Sequence, residues 1–234
     1  MKTSRTGFVA TSAIIMAFVL VLTLAPPQGL QAVPNATPEV SHDGLHRVED
    51  SIAAIAYIKP DADFSVYDRF TILDCYVAFK KDWQRDHNRA SPGNRVSDSD
   101  MQRIKEEMAD LFREVFVEEL SENDGYEVVD GAAGDVLLIR PAIIDLVASA
   151  PDTMSAGRSK TFVNSAGAAT LFIELYDSVT GEILARAIDR KADRGSGMMQ
   201  WSTSARNRME ARKIIRGWAD TLRERMDEIH GNAT

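Results

Sequence analysis

GAATLFIELYDSVTGEILARAIDRKA, residues 167–192, is the stretch whose reading decides the fold. Two runs rich in β-branched and aromatic residues flank Val179-Thr180-Gly181, and Gly181 suits the positive φ that a tight hairpin needs. With Ser178 opposite Glu182, the register pairs Tyr176 with Leu184, Glu174 with Arg186 and Phe172 with Ile188. One face then carries Leu171, Ile173 and Leu175 with Ile183, Ala185 and Ala187, an apolar surface on which a helix can lie. The other face mixes Phe172 and Tyr176 with Glu174, Arg186 and Arg190. Glu174 opposite Arg186 has two readings, a cross-strand pair that sets register or part of an exposed recognition surface.

Moving outward, residues 136–146 read as a longer strand that Pro141 restricts to an edge or a bulge, and residues 126–129 as a short one. Residues 70–79 have the composition of a single strand, followed by a polar loop over 80–95 containing Pro92-Gly93. From Met101 the apolar residues Ile104, Met108, Leu111, Phe112, Val115, Phe116 and Leu120 recur at three and four, one stripe along a helix. Ser97, Asp98 and Ser99 supply its N-cap candidates, and Asn123 and Gly125 its stop. A last helix over 205–229 buries Met209, Ile214 or Ile215, Trp218, Leu222, Met226 and Ile229. Its arginines (206, 208, 212, 216, 223 and 225) interleave with Glu210, Asp220, Glu224, Asp227 and Glu228, which makes a solvated ion-pair face rather than a nucleic-acid stripe. These elements predict an α/β (α+β) two-layer sandwich: a mixed or mostly antiparallel sheet of five or six strands, with two long helices on one face.

The N-terminal segment speaks to destination. Lys2 and Arg5 precede an apolar run over residues 8–24 that ends at Pro26 and Pro27, the pattern of a secretory signal with a cleavage site after Leu30-Gln31-Ala32. The expected organisation is a signal peptide over 1–32, a flexible leader over 33–50 and one domain over 51–230; retention as an uncleaved anchor is the alternative. The expected localisation is periplasmic or secreted. Cleavage removes two bases and no acid, so the formal net charge of −8 becomes −10, which disfavours nucleic acid and anionic membranes as partners. The single cysteine, Cys75, lies far from the signal, so a lipoprotein anchor is not expected and no internal disulfide can form. Cys75 is either a small buried strand residue or a reactive thiol.

Chemistry-bearing constellations are sparse. Gly-x-Ser-x-Gly is absent. The four histidines (42, 46, 87 and 230) are scattered, so neither a metal nor a cofactor is expected. The side loops at 83–96, 151–165 and 193–204 and the uncovered sheet face remain for recognition. In the third loop, Met198, Met199 and Trp201 either pack down as a lid or meet a partner, and Gly195-Ser196-Gly197 is a weak anion cradle.

The run Tyr57-Ile58-Lys59-Pro60-Asp61-Ala62-Asp63-Phe64-Ser65-Val66-Tyr67-Asp68, the strand after it, Leu175-Tyr176-Asp177-Ser178-Val179-Thr180-Gly181-Glu182 and Asp189-Arg190 resemble the family of exported bacterial proteins named domain of unknown function 3313. The resemblance implies export in Gram-negative bacteria, where many members are lipoproteins, and implies no activity or site. The chain departs from that pattern in lacking the lipid-bearing cysteine. Two functions follow as expectations. One is a non-enzymatic envelope module that binds a protein or cell-wall component through Phe172, Glu174, Tyr176, Arg186 and Arg190. The other is a small-molecule carrier or unrecognised hydrolase with a pocket under the 193–204 loop.

Overall fold

The computed structural model describes residues 37–123, 125–148, 168–192 and 204–231, all but Thr37 within a compact unit that begins at Pro38. Their elements in chain order are β1 (His46–Val48), β2 (Ile55–Ile58), β3 (Arg69–Ile72), β4 (Tyr76–Phe79), α1 (Trp83–Ala90), α2 (Asp98–Ser121), β5 (Glu127–Val128), β6 (Val136–Val147), β7 (Ala168–Asp177), β8 (Ile183–Ala192) and α3 (Ser204–His230). The strands form one mixed sheet in the order β1-β2-β8-β7-β6-β3-β5, with β4 also on β6. The β1-β2-β8-β7-β6 part is antiparallel; β3 and β4 join β6, and β5 joins β3, in parallel.

This is the expected α+β layering, with eight strands instead of five or six. The additional strands are short. One is β1, inside the stretch read as a flexible leader, where Leu45 is 1% exposed. Another is β2, over residues not expected as a strand. A third comes from a break at Leu73-Asp74-Cys75, which splits the run over 70–79 into β3 and β4. Helix α1 occupies part of the expected 80–95 loop, with Trp83 stacked between Phe79 and His87.

The break explains Pro141, which is not at an edge: β6 has β7 on one side and β3 then β4 on the other. The Ile139 carbonyl accepts from the Leu73 amide at 2.9 Å, so it faces the β3 side, and alternation turns residue 141 the same way. β3 ends opposite Ile139 and β4 begins opposite Ala142. The missing N–H of Pro141 therefore falls in the gap between two parallel neighbours, where no acceptor waits.

The hairpin keeps most of its expected register: Glu174 faces Arg186 and Phe172 faces Ile188, with Gly181 at φ +69°. A bulge between Leu175 and Tyr176 pairs Tyr176 with Ile183 instead of Leu184. The extra residue, Leu184, turns into the core.

Both long helices lie on the face that carries Phe70, Ile72, Leu137, Ile139, Leu171 and Ile173, and all contribute to one core. Ser97 starts α2 with a capping box: its Oγ accepts from the Asp100 amide at 3.1 Å, and its own amide donates to Asp100 Oδ2 at 3.0 Å. At the other end Asn123 takes φ +52°, while a Cβ on Gly125 would overlap the carbonyl oxygens of Leu120 and Glu122.

Helix α3 runs alongside α2 in the same direction. Arg208 reaches Glu114, Arg212 reaches Glu114 and Glu118, and Arg216 reaches Glu118 and Glu119. These three arginines thus zip one helix to the other with acids supplied by α2, while Arg223 and Arg225 pair within α3 with Asp227 and Glu228. Asp220 sits beside Glu119, and burial, then this second carboxylate, raises its pKa. Met209 and Ile229, expected inside, are exposed, because they sit near the two ends of α3. Among the described residues no helix is long and apolar enough to cross a membrane.

Cys75 is 7% exposed, and burial pushes its thiol up to about 12. The buried-residue reading therefore holds, since the thiolate is the reactive species. The native protein at neutral pH is expected to alkylate at Cys75 at least about a hundredfold more slowly than the urea-unfolded chain. Equal rates measured by mass spectrometry would contradict this burial.

Candidate functional site

Strand alternation places Leu138, Arg140, Ala142 and Ile144 of β6 on the face turned away from the helices. Opposite them stand Tyr176, Glu174, Phe172 and Thr170 of β7. From β8 come Arg186 and Ile188, paired with Glu174 and Phe172. Tyr57 of β2 is paired with Arg186, and Tyr76 of β4 with Ala142.

At the centre of this face is a buried carboxylate, Glu174, only 5% exposed. Its Oε1 accepts from Arg186 Nε at 2.9 Å, and its Oε2 from Tyr176 Oη at 2.7 Å and from Arg140 Nη1 at 3.2 Å. Arg186 then reaches past Glu174 to a bidentate pair with Asp43 and lies over the Phe172 ring, 5.6 Å from its centroid. A buried charge is tolerated when its lone pairs are satisfied, and here three donors converge on one carboxylate. Burial, then the hydrogen bond to Glu174, raises the Tyr176 phenol above its ordinary pKa. The Arg186 hydrogen bond, then that of Ser41, holds Asp43 well below the usual carboxylate range.

Of the residues singled out from sequence, Phe172, Glu174, Tyr176 and Arg186 are thus brought together. Arg190 shares their face but stands towards its far end, opposite Thr170. Met198, Met199 and Trp201, and the pocket expected beneath their loop, lie outside the described residues.

The sequence reading missed Arg140, Asp43 and Tyr76. Arg140 has a sequence signal, a charge among the apolar residues at the centre of its strand, but its match to Glu174 needs the β6-β7 register. Asp43 had none, because it lies in the stretch read as leader. That stretch also narrows the open face: Tyr57 Oη donates to the Pro38 carbonyl at 2.8 Å, so residues 38–45 lie over the β2-β8 side. The β6-β4 side stays open, with Tyr76 66% exposed and the Arg140 side chain 62% exposed. Ala142 separates Tyr76 from Phe172, leaving a shallow slot between two aromatic rings about 10 Å apart at normal strand spacing. Among the described residues no group of three His, Cys, Asp or Glu could hold a metal ion.

Residues 40–222 match the model of the family described as Protein of unknown function (DUF3313), and the chain belongs to that family. No curated protein matches it. Among solved structures, a variant PelC dodecamer from Paraburkholderia phytofirmans is similar at 10% identity and a TM-score of 0.36, covering 72% of this chain and 95% of that one. A second PelC dodecamer from the same organism is similar at 11% identity and a TM-score of 0.36, covering 68% and 90%.

Replacing Glu174 by Ala leaves Arg186 with Asp43 as its sole carboxylate partner and is expected to cost about 3 kcal/mol in urea unfolding. A loss below about 0.5 kcal/mol would mean that the cluster is not structural. Because the folded pKa of Asp43 is depressed, its contribution is present above the unfolded value of about 4 and drains away as pH falls below it. Unfolding free energy should therefore drop between pH 7 and pH 3, and Asp43→Asn should make that drop shallower.

Proposed function

We propose that this protein is an exported, envelope-associated module that binds a protein or cell-wall component through its helix-free sheet face and catalyses no reaction. The observation that carries the reading is the row Tyr76, Ala142 and Phe172 standing beside the fixed Arg140-Glu174 pair. Aromatic rings and arginine are the groups that concentrate binding energy at interfaces. Two groups beside this row are anchored from beneath: Arg140 and Tyr176 are tied to the buried carboxylate of Glu174, so less side-chain freedom is lost when a partner lands. An enzyme would need a nucleophile, base or metal set at this site. A carboxylate whose oxygens are already taken by two guanidinium groups and a phenol is instead a strut.

Support for the compartment comes from the basic and apolar character of residues 2–24, and support for the partner class from an acidic chain, which disfavours nucleic acid. The processed protein, starting near Val33, is expected in periplasmic extract. Recovery of the intact chain solely from cytosol would remove the envelope from this reading.

The surface is tested by placing a photocrosslinking residue at position 76, 140 or, as a control on α2, 106, in cells that express the protein at natural levels. Adducts of discrete mass are expected from 76 and 140 and not from 106, and Tyr76→Asp with Arg140→Glu should weaken capture at least about tenfold. Adducts from 106 alone, or capture unaffected by the double substitution, would discard this face.

A further inference from the structure

The opposite side of the sheet holds a feature that the sheet-face reading does not use. Where α3 continues past the end of α2, a cavity of 290 Å³ lies between it and the strands β2, β8 and β7. Its floor is small. Ala185 and Ala187 of β8 sit side by side with Ala56 of β2, which pairs with Ala187. Its roof is one stripe of α3, from Trp218 through Leu222 and Met226 to Ile229. Residues 51–53 close one side, and Phe64 and Leu175 contribute to the walls. Its volume stands at the lower limit of small-molecule sites, which are concave and mostly apolar as this one is.

The lining says which kind. Every polar side chain that reaches the cavity already has a partner. Trp218 Nε1 donates to Asp189 Oδ2 at 2.9 Å, and Thr221 Oγ1 to the Gly217 carbonyl at 2.8 Å. Ser51 Oγ accepts from the Ala53 amide, while Tyr57 and Arg186, which alternate with the floor alanines, turn their polar side chains to the other face of the sheet. A ligand with hydrogen-bonding groups along its body would lose its water and gain nothing in return. Hydrocarbon loses nothing and buries surface.

The mouth differs from the interior. Ile52, Ile58 and Ile229, three of the large apolar side chains that the described residues leave exposed, all belong to this lining and form a greasy rim. Arg225, one turn before Ile229, has its guanidinium in an exposed i,i+3 pair with Glu228 at 2.6 Å. Such a pair is weak and can exchange partners.

We propose that this cavity binds the acyl chain of a free fatty acid, with the chain over Ala56, Ala185 and Ala187 beneath Trp218 and Met226 and the carboxylate at Arg225. Fatty-acid binding here is separate from partner binding on the helix-free face, and either can fail alone.

The test uses the full-length chain with Trp83→Phe and Trp201→Phe, so that Trp218 is the sole indole. Titration with a bromine-labelled fatty acid is expected to quench Trp218 saturably, and unlabelled fatty acid to restore the emission. Filling the floor with Ala187→Phe should weaken the apparent affinity at least about tenfold with the circular dichroism spectrum unchanged. Arg225→Glu should weaken the acid several-fold and leave the matching bromine-labelled fatty alcohol unaffected. If Ala187→Phe does not fold, Ala185→Leu replaces it, and displacement by unlabelled acid stands by itself. Quenching that rises linearly without saturation, is not reversed by unlabelled acid, or persists in folded floor-filling variants would overturn the site. Equal binding of acid and alcohol, insensitive to Arg225→Glu, would overturn the assignment of the carboxylate.

Discussion

A strand buried along both edges must find a partner for nearly every backbone amide, and in this protein that constraint falls on β6. Twelve residues long, it carries β7 along one side and two short parallel strands in succession along the other. An unmatched amide in such a position costs as much as a lost hydrogen bond and its desolvation. Proline solves one place where a partner cannot be supplied. Pro141 stands at the junction between β3 and β4, and the chain between them is free to leave the sheet at Leu73-Asp74-Cys75. The helix layer then seats its apolar residues against β3, β4, β6 and β7 together.

The two faces of the sheet meet different demands from there. On the helix side, α2 and α3 cover β3 to β7, drawn together by apolar stripes and by arginines of α3 against glutamates of α2. Only the C-terminal part of α3 reaches over β8 and β2, and alanines in those strands leave the space beneath it unfilled. On the other side the described residues supply no helix, and burial is achieved locally: residues 38–45 fold back across β2 and β8, and Asp43 closes the chain of charges that begins at Arg140. The same carboxylate, Glu174, therefore sets cross-strand register and holds exposed groups in place. Of the two readings taken from sequence, the structure shows the cross-strand pair, and Glu174 is too buried to be an exposed recognition group itself.

Local rules carried the sequence a long way. Hairpin chemistry at Gly181, the three-and-four periodicity of α2 and the serine that caps it are each decided by residues a few positions apart, so each was legible without tertiary information. The Glu174-Arg186 and Phe172-Ile188 pairs were expected from the turn, but in the structure they also need the bulge at Leu184, which offsets a turn register one residue from the expected one. The expectations that failed were those in which a short-range signal competes with a distant partner. Residues 33–50 look like a leader because they are polar and rich in turn formers, yet Leu45 is buried and Asp43 is paired with Arg186 on a strand far along the chain. Pro141 looks like an edge signal because proline usually avoids central strands, and only the interrupted neighbour shows why it is permitted here.

By itself, the sequence determined the layered α+β class, the membership of one family and the identity of the apolar and polar faces, because periodicity and turn propensity are properties of neighbouring residues. Tertiary structure alone decided which strands lie side by side. With that came the union of Arg140, Glu174, Arg186 and Asp43 on one face and the hollow beneath α3 on the other. Both depend on residues remote in the chain coming within bonding distance, and no local pattern encodes that.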